Sequence, residues 1–319
     1  GGCRKIKLYK LRSGFRLAFP FGKCYNKDSE RQSAENQKLS GRGFVMKIGT
    51  MVNLSVNIEN DMRNLKNFGI DNCQLCCWQM TEFTDEAAEK INRITREEKI
   101  EITALWCGWS GPAVWDFVDG YHTLGLVPIA YREQRISDLK KGSDFAKKIG
   151  VTDVITHFGF LPENCKTDEY AQVVLAIKEV AEYCKKNGQY LLFETGQETP
   201  ITLKRTIEAV GTGNLGINLD PANLLLYGKG NPCDAVDVFG EYVRNVHGKD
   251  GEYPVNPACL GEEKRIGDGR ANYPLLIKKL KEKGYDGPIT IEREISGEQQ
   301  IKDILYAKKF LEDIIDEKN

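Results

Sequence analysis

From Met46 to the C-terminus, short runs of apolar and β-branched residues alternate with longer segments whose apolar positions recur every three to four residues. Eight short runs stand out: KIGTMV (47–52), NCQLCCW (72–78), IEITALW (100–106), DVITHFG (153–159), QYLLFET (189–195), NLGINLD (214–220), VRNVHGK (243–249) and PITIERE (288–294). Each has the length of a barrel strand. The segments between them read as helices. In 57–69, Ile58, Met62, Leu65 and Phe68 share one face, and Gly69 ends the pattern. In 84–99 a Thr cap is followed by acids in the first turn. Further helical patterns cover 137–150, 167–188, 199–211, 231–242, 273–284 and 298–315. Eight strands, each followed by a helix, close most simply into an α/β fold of the (β/α)8 TIM-barrel type spanning 46–319. A doubly wound open sheet is the alternative. IGTMVNLS after the first strand lacks the G-x-G-x-x-G turn such a sheet usually carries. The segment CGWSGPAVWDFVDGYHTLGLVPIAY (107–131) is long enough to be a functional lid.

The chain has 319 residues, enough to bury a large core without disulfides, and a formal net charge of −1. Charge is unevenly spread. Residues 1–45 carry eleven Lys/Arg and three acids, a surplus of +8 that leaves −9 for 46–319. Residues 1–45 have neither a helical period nor an apolar stretch of signal-peptide length, and are expected to be a basic extension outside the barrel. A nucleic-acid arm is the sharper alternative, but the acidic body argues against nucleic-acid binding. No apolar run reaches the ~20 residues of a membrane span. Cys73, Cys76 and Cys77 lie in one apolar run with no second pair at zinc spacing. They read as small buried thiols of a reducing, cytoplasmic compartment.

The strands also end oddly. Apolar runs five to eight reach Glu194, Asp220, His247 and Glu292. In a barrel the C-terminal strand ends build the active site, and adjacent strands set these four side by side. Three crowded carboxylates repel one another and resist ionising, a conflict that a divalent cation removes. Two Glu, one Asp and one His form an oxygen-rich donor set suited to Mn²⁺ first, and also to Mg²⁺, Co²⁺ or Zn²⁺. The alternative is that each acid caps the next helix, a role for which His has no merit. Glu294 shares a face with Glu292 and competes for its place; Glu292 is preferred because it directly follows ITI. His157 ends strand four and is placed to touch substrate hydroxyls or to serve as a structural hydrogen-bonding His. His122 reads as structural. Lys249 and Asp250 follow His247 and can neutralise or orient the site. Trp106, Trp109 and Trp115 flank the long loop and suit stacking on a ligand or core packing. Arg265, in EEKRIGDGR after strand seven, stands where barrels often bind phosphate, with a plain loop as the alternative.

The segments FETGQET, NLDPANLLLYG, VRNVHGKD and RIGDGRANYPLLIKKLKEKGYDGPITIE resemble the sugar phosphate isomerase/epimerase superfamily, the xylose isomerase-like barrels, over Met46 to the C-terminus. The resemblance implies that Glu194, Asp220, His247 and Glu292 are metal ligands and that the two glutamates form an acid/base pair. Some ketose epimerases of the family carry a His three residues after the Asp, where this chain has Asn223. The implied activity is metal-dependent isomerisation or epimerisation of a sugar or sugar phosphate through an enediolate. A dehydratase of a keto-sugar or keto-inositol and a non-catalytic sugar-binding protein are the alternatives. DNA-repair endonucleases of the same barrel need many His ligands, and this chain has three His in all. Sequence leaves the formation of a homo-oligomer open.

Overall fold

The computed structural model describes residues 46–316; the basic segment 1–45 lies outside the described residues. Eight parallel strands close into a barrel: β1 (Ile48–Asn53), β2 (Asn72–Cys77), β3 (Glu101–Cys107), β4 (Asp153–Thr156), β5 (Tyr190–Glu194), β6 (Leu215–Leu219), β7 (Val243–Gly248) and β8 (Ile289–Ile291). They neighbour one another in chain order, and β8 closes onto β1 with Ile48 opposite Ile289. Eight helices cover the outside: α1 (Ile58–Asn67), α2 (Asp85–Glu98), α3 (Ile129–Lys148), α4 (Asp168–Lys186), α5 (Pro200–Val210), α6 (Pro232–Phe239), α7 (Tyr273–Glu282) and α8 (Glu298–Asp316). The chain forms a TIM barrel.

Local chemistry explains the elements. Thr84, Thr167 and Thr199 each accept a backbone N–H in the first turn of α2, α4 and α5. Gly211 ends α5 at φ 63°, a left-handed position where a Cβ is strained. Leu, Ile, Val and Phe side chains from the strands and the inner helix faces form one continuous core. Cys73, Cys76 and Cys77 are free thiols buried in β2. No helix of the described residues is long and apolar enough to cross a membrane.

Two features depart from the sequence reading. The helix expected to begin at Ser137 begins eight residues earlier, at Ile129. Its first turns carry Arg132 and Arg135 on the inward face, which breaks the apolar pattern. Both guanidiniums are buried and used: Arg132 donates to the carbonyls of Leu126 (2.7 Å) and Val127 (2.6 Å), Arg135 to those of Gly125 (2.7 Å) and Pro112 (2.8 Å). Asp138 on the same helix accepts the Ser110 N–H at 2.8 Å. Three charged side chains of α3 therefore tie the long loop after β3 to the barrel wall. The second feature is a small antiparallel ladder after β7, Asp250–Gly251 against Glu263–Lys264.

Candidate metal centre

β5, β6, β7 and β8 are consecutive in the closed sheet, so their C-terminal ends share one sector of the barrel mouth. Glu194 is the last residue of β5, Asp220 follows β6, His247 is the penultimate residue of β7, and Glu292 follows β8. One ligand atom from each of the four lies within 4.8 Å of all the others. His247 Nδ1 faces the carboxylates of Glu292 at 3.0 Å, Glu194 at 3.1 Å and Asp220 at 3.4 Å. The opposite ring nitrogen, Nε2, lies 2.9 Å from Gln74 Oε1. That oxygen can only accept, so Nε2 carries the proton and Nδ1 is the nitrogen available to a ligand.

Helix capping and site chemistry coexist at Asp220. Its Oδ1 accepts the Asn223 N–H at 2.8 Å and so caps a short helix, Pro221–Leu226, while Oδ2 faces His247. One carboxylate serves both readings of that strand end.

The carboxylates differ in their surroundings. Glu194 Oε2 accepts the indole N–H of Trp106 and lies 3.5 Å from His157 Nε2; Oε1 accepts from the Asn223 amide at 3.3 Å. Burial works to raise its pKa, but His157 and His247 prevail and hold it low. Burial pushes Asp220 up to about 6, against the pull of Lys249. Glu292 is also held low: burial opposes ionisation, and Lys249 and His247 outweigh it. Its side chain is 19% exposed against 2% for Glu194, and only its Oε2 accepts hydrogen bonds among the described residues.

Lys249 is buried at the edge of the group. Its ammonium sits 2.7 Å from Glu294, 3.3 Å from Glu292, 3.4 Å from Asn223 Oδ1 and 3.7 Å from Asp220. Glu294 is 59% exposed and pairs with Lys249 from outside, while Glu292 joins the four. The three carboxylates of the group carry three negative charges; Lys249, shared with Glu294, offsets part of this, and a divalent ion beside a neutral His247 offsets most of the rest. Burial disfavours a second proton on His247, but Glu194 and Glu292 raise its pKa well above the ordinary value. Donor types, spacing and charge thus fit a divalent cation held by Glu194, Asp220, His247 and Glu292.

The remaining residues singled out from sequence are spread out. His157 is buried beside Glu194, and its Nδ1 has no hydrogen-bond partner among the described residues. Asn223 bridges Glu194 and Lys249. Trp109 stands one ring behind Trp106, at 6.4 Å between centroids, and is packed under Arg135. Trp115 lies 5.0 Å from the His157 ring. Arg265 is not brought to the four: its guanidinium engages Asp268 and lies over the Tyr306 ring of α8. Asp250 does not orient the four either; its carboxylate turns to backbone N–H groups of the loop that follows. Sequence reasoning passed over Gln74, a polar residue in the cysteine-rich β2 run. Its only signal was a polar amide set between Cys73 and Leu75. A cavity of about 450 Å³, lined in part by Glu101, Thr103, Asp153 and Arg244, contains none of the four.

The chain belongs to the xylose isomerase-like TIM-barrel family, whose model matches residues 62–314. It is similar to an uncharacterized protein of Methanocaldococcus jannaschii, at 30% identity over 178 residues that make up 51% of this chain and 56% of that protein. The match thus spans little more than half the length of that relative. Among solved structures, a xylose isomerase domain protein from Planctomyces limnophilus shares 33% identity at a TM-score of 0.79, over 85% of this chain and 97% of that one. A D-tagatose 3-epimerase-like protein matches at 20% identity and TM-score 0.65, over 85% and 97% of the two chains. A xylose isomerase-like barrel from Mycobacterium smegmatis, solved in complex with magnesium, matches at 18% and 0.60, over 81% and 87%. These last two likenesses concern the fold.

Proposed function

We propose that this protein is a divalent-metal-dependent isomerase or epimerase of a sugar or sugar phosphate. The observation that carries the reading is the convergence of Glu194, Asp220, His247 and Glu292 at the C-terminal mouth of the barrel. A divalent ion held there would supply Lewis acidity towards the carbonyl and neighbouring hydroxyl oxygens of a bound sugar. Mn²⁺ suits the donor set best, with Mg²⁺, Co²⁺ and Zn²⁺ as alternatives.

The chain's own residues divide the remaining work. Glu292 has a carboxylate oxygen that no donor among the described residues reaches, and that oxygen takes the proton from the carbon beside the carbonyl, leaving an enediolate. Glu194, fixed by Trp106, His157 and Asn223, faces the group from β5; ionised at rest, it takes a proton from solvent and delivers it to the enediolate, while Glu292 releases its own proton to solvent and so resets the pair. Return to the opposite face of the same carbon epimerises; return to the adjacent carbon isomerises. Lys249 and the Asn223 amide present donors to substrate oxygens at the same edge. Trp115, exposed beside His157, offers a ring face to the sugar.

The test is a ketose and aldose panel incubated with metal-loaded protein in D₂O. Deuterium should enter the carbon next to the carbonyl, and Glu292→Gln and Glu194→Gln should each lose at least ~10²-fold in rate. Glu292→Gln is the cleaner of the two, because its amide nitrogen can occupy the unpartnered oxygen's place. At Glu194 the Trp106 indole and the Asn223 amide each donate to one oxygen, so a Gln nitrogen there meets a donor in either orientation. Retained turnover in either variant with metal bound removes that residue from the pair. A product lighter by one water identifies a dehydratase instead, and binding without exchange or product identifies a sugar-binding protein.

A further inference from the structure

We propose that Asp153, at the start of β4, sets which ring nitrogen of His247 is open to a metal ion, acting through Asn245 and Gln74 as positioning residues. The inference rests on the metal-site reading above. Asp153 is buried, and its carboxylate accepts from Arg244 Nε at 3.2 Å to each oxygen and from Arg244 Nη2 at 3.0 Å. The guanidinium itself lies over the Tyr190 ring at 3.6 Å. The same carboxylate accepts the Asn245 amide nitrogen at 2.9 Å.

That contact fixes the orientation of every group above it. A carboxylate paired to a guanidinium only accepts, so Asn245 must turn its nitrogen to Asp153 and its oxygen inward. The Gln74 amide nitrogen then donates to Asn245 Oδ1 at 3.4 Å and to Asn218 Oδ1 at 3.2 Å. Gln74 is left with its oxygen towards His247, 2.9 Å from Nε2, and that nitrogen must be the protonated one. The Nδ1 lone pair is thereby aimed at the three carboxylates. Reversing the amides would set Asn245 Oδ1 against the Asp153 carboxylate and the Gln74 NH₂ against His247. Nδ1 would then hold the proton, and a cation could not bind it. Asn245 and His247 both point inward because β7 alternates, and β2 brings Gln74 across the barrel from a position 173 residues away. Partners that hold the second nitrogen of a metal-binding His typically change metal affinity by about 10–100-fold.

The test uses the full chain, Mn²⁺ titration for affinity, and ¹⁵N-histidine spectra of the Zn²⁺-loaded protein, which has only three His to assign. In the wild type the His247 Nε2–H should exchange slowly with solvent. Gln74→Met should lose about 10–100-fold in Mn²⁺ affinity, and Gln74→Glu, which still accepts from Nε2–H, should recover most of it. Asp153→Asn keeps the shape but no longer dictates the direction. It should fall between the wild type and Gln74→Met in affinity, with faster Nε2–H exchange. Equal losses in Gln74→Met and Gln74→Glu, or an Asp153→Asn protein matching the wild type in both readouts, would overturn the proposal. If either Gln74 variant fails to fold, Asp153→Asn decides alone. A wild type that binds no divalent ion would instead overturn the metal-site reading.

Discussion

Replacing Asp250 by Asn should destabilise the protein far more than its single lost charge implies. Asp250 is buried in the first turn after the β7 end, and its two oxygens accept four backbone N–H groups. Oδ1 takes Gly251 at 2.8 Å and Ala271 at 3.0 Å; Oδ2 takes Gly267 at 3.0 Å and Gly269 at 3.2 Å. The chain closes so tightly here that a Cβ on Gly269 would sit 2.2 Å from Asp250 Oδ1. Asn keeps one oxygen for Gly251 and Ala271 and sets an NH₂ group against the N–H groups of Gly267 and Gly269. A hydrogen bond to a charged acceptor contributes about 1.5–3 kcal/mol, and two are lost. Water reaches the exposed Gly267 amide and offsets part of this, so the expected destabilisation is about 2–4 kcal/mol. Urea denaturation in the presence of chelator measures it. Hydrogen exchange should show the Gly267 and Gly269 amides losing protection while the amides of β5 and β6 keep theirs. A change below about 0.5 kcal/mol, the size of an ordinary surface substitution, would refute the idea that this carboxylate organises the loop. Gly269→Ala should be at least as damaging, by steric displacement of the same carboxylate.

Two further outcomes are expected. His247→Ala removes the one nitrogen of the donor set and should lower divalent-ion occupancy by elemental analysis; full occupancy would remove His247 from the ligands. Glu198 is buried, its Oε1 has no partner among the described residues, and burial pushes its carboxyl up to about 8. The folded state therefore binds this proton more tightly than the unfolded chain, so stability is full below about pH 4.5 and is lost as pH rises through 8. Glu198→Gln should abolish that loss, leaving the variant more stable than the wild type at pH 8.5 by a few kcal/mol and close to it at pH 5. Parallel denaturation curves at the two pH values check the sign, and a wild type equally stable at both would exclude it.

The alternation of strand and helix was legible along the chain because each barrel unit is local: a strand, a cap and an amphipathic helix within about thirty residues. The four strand-end residues were legible for the same reason. An acid or a His at the end of an apolar run can be read without knowing its neighbours, and parallel strands in sequence order bring such ends together. What tertiary structure decided concerns contacts across the barrel. Sequence parity left Glu292 and Glu294 on one face; the end of β8 at Ile291 put Glu292 with Glu194, Asp220 and His247 and left Glu294 to Lys249. Arg265 stands near His247 in sequence, yet the tight turn closed by Asp250 points it at α8. Arg132 and Arg135 hid the first turns of α3, because inward guanidiniums satisfied by loop carbonyls mimic a polar, non-helical stretch. Gln74 and Asp153 were invisible as site residues, since their effect passes through hydrogen bonds between β2, β4 and β7. Only the closure and stagger of the barrel set which side chains meet at its centre, and no local pattern encodes that register.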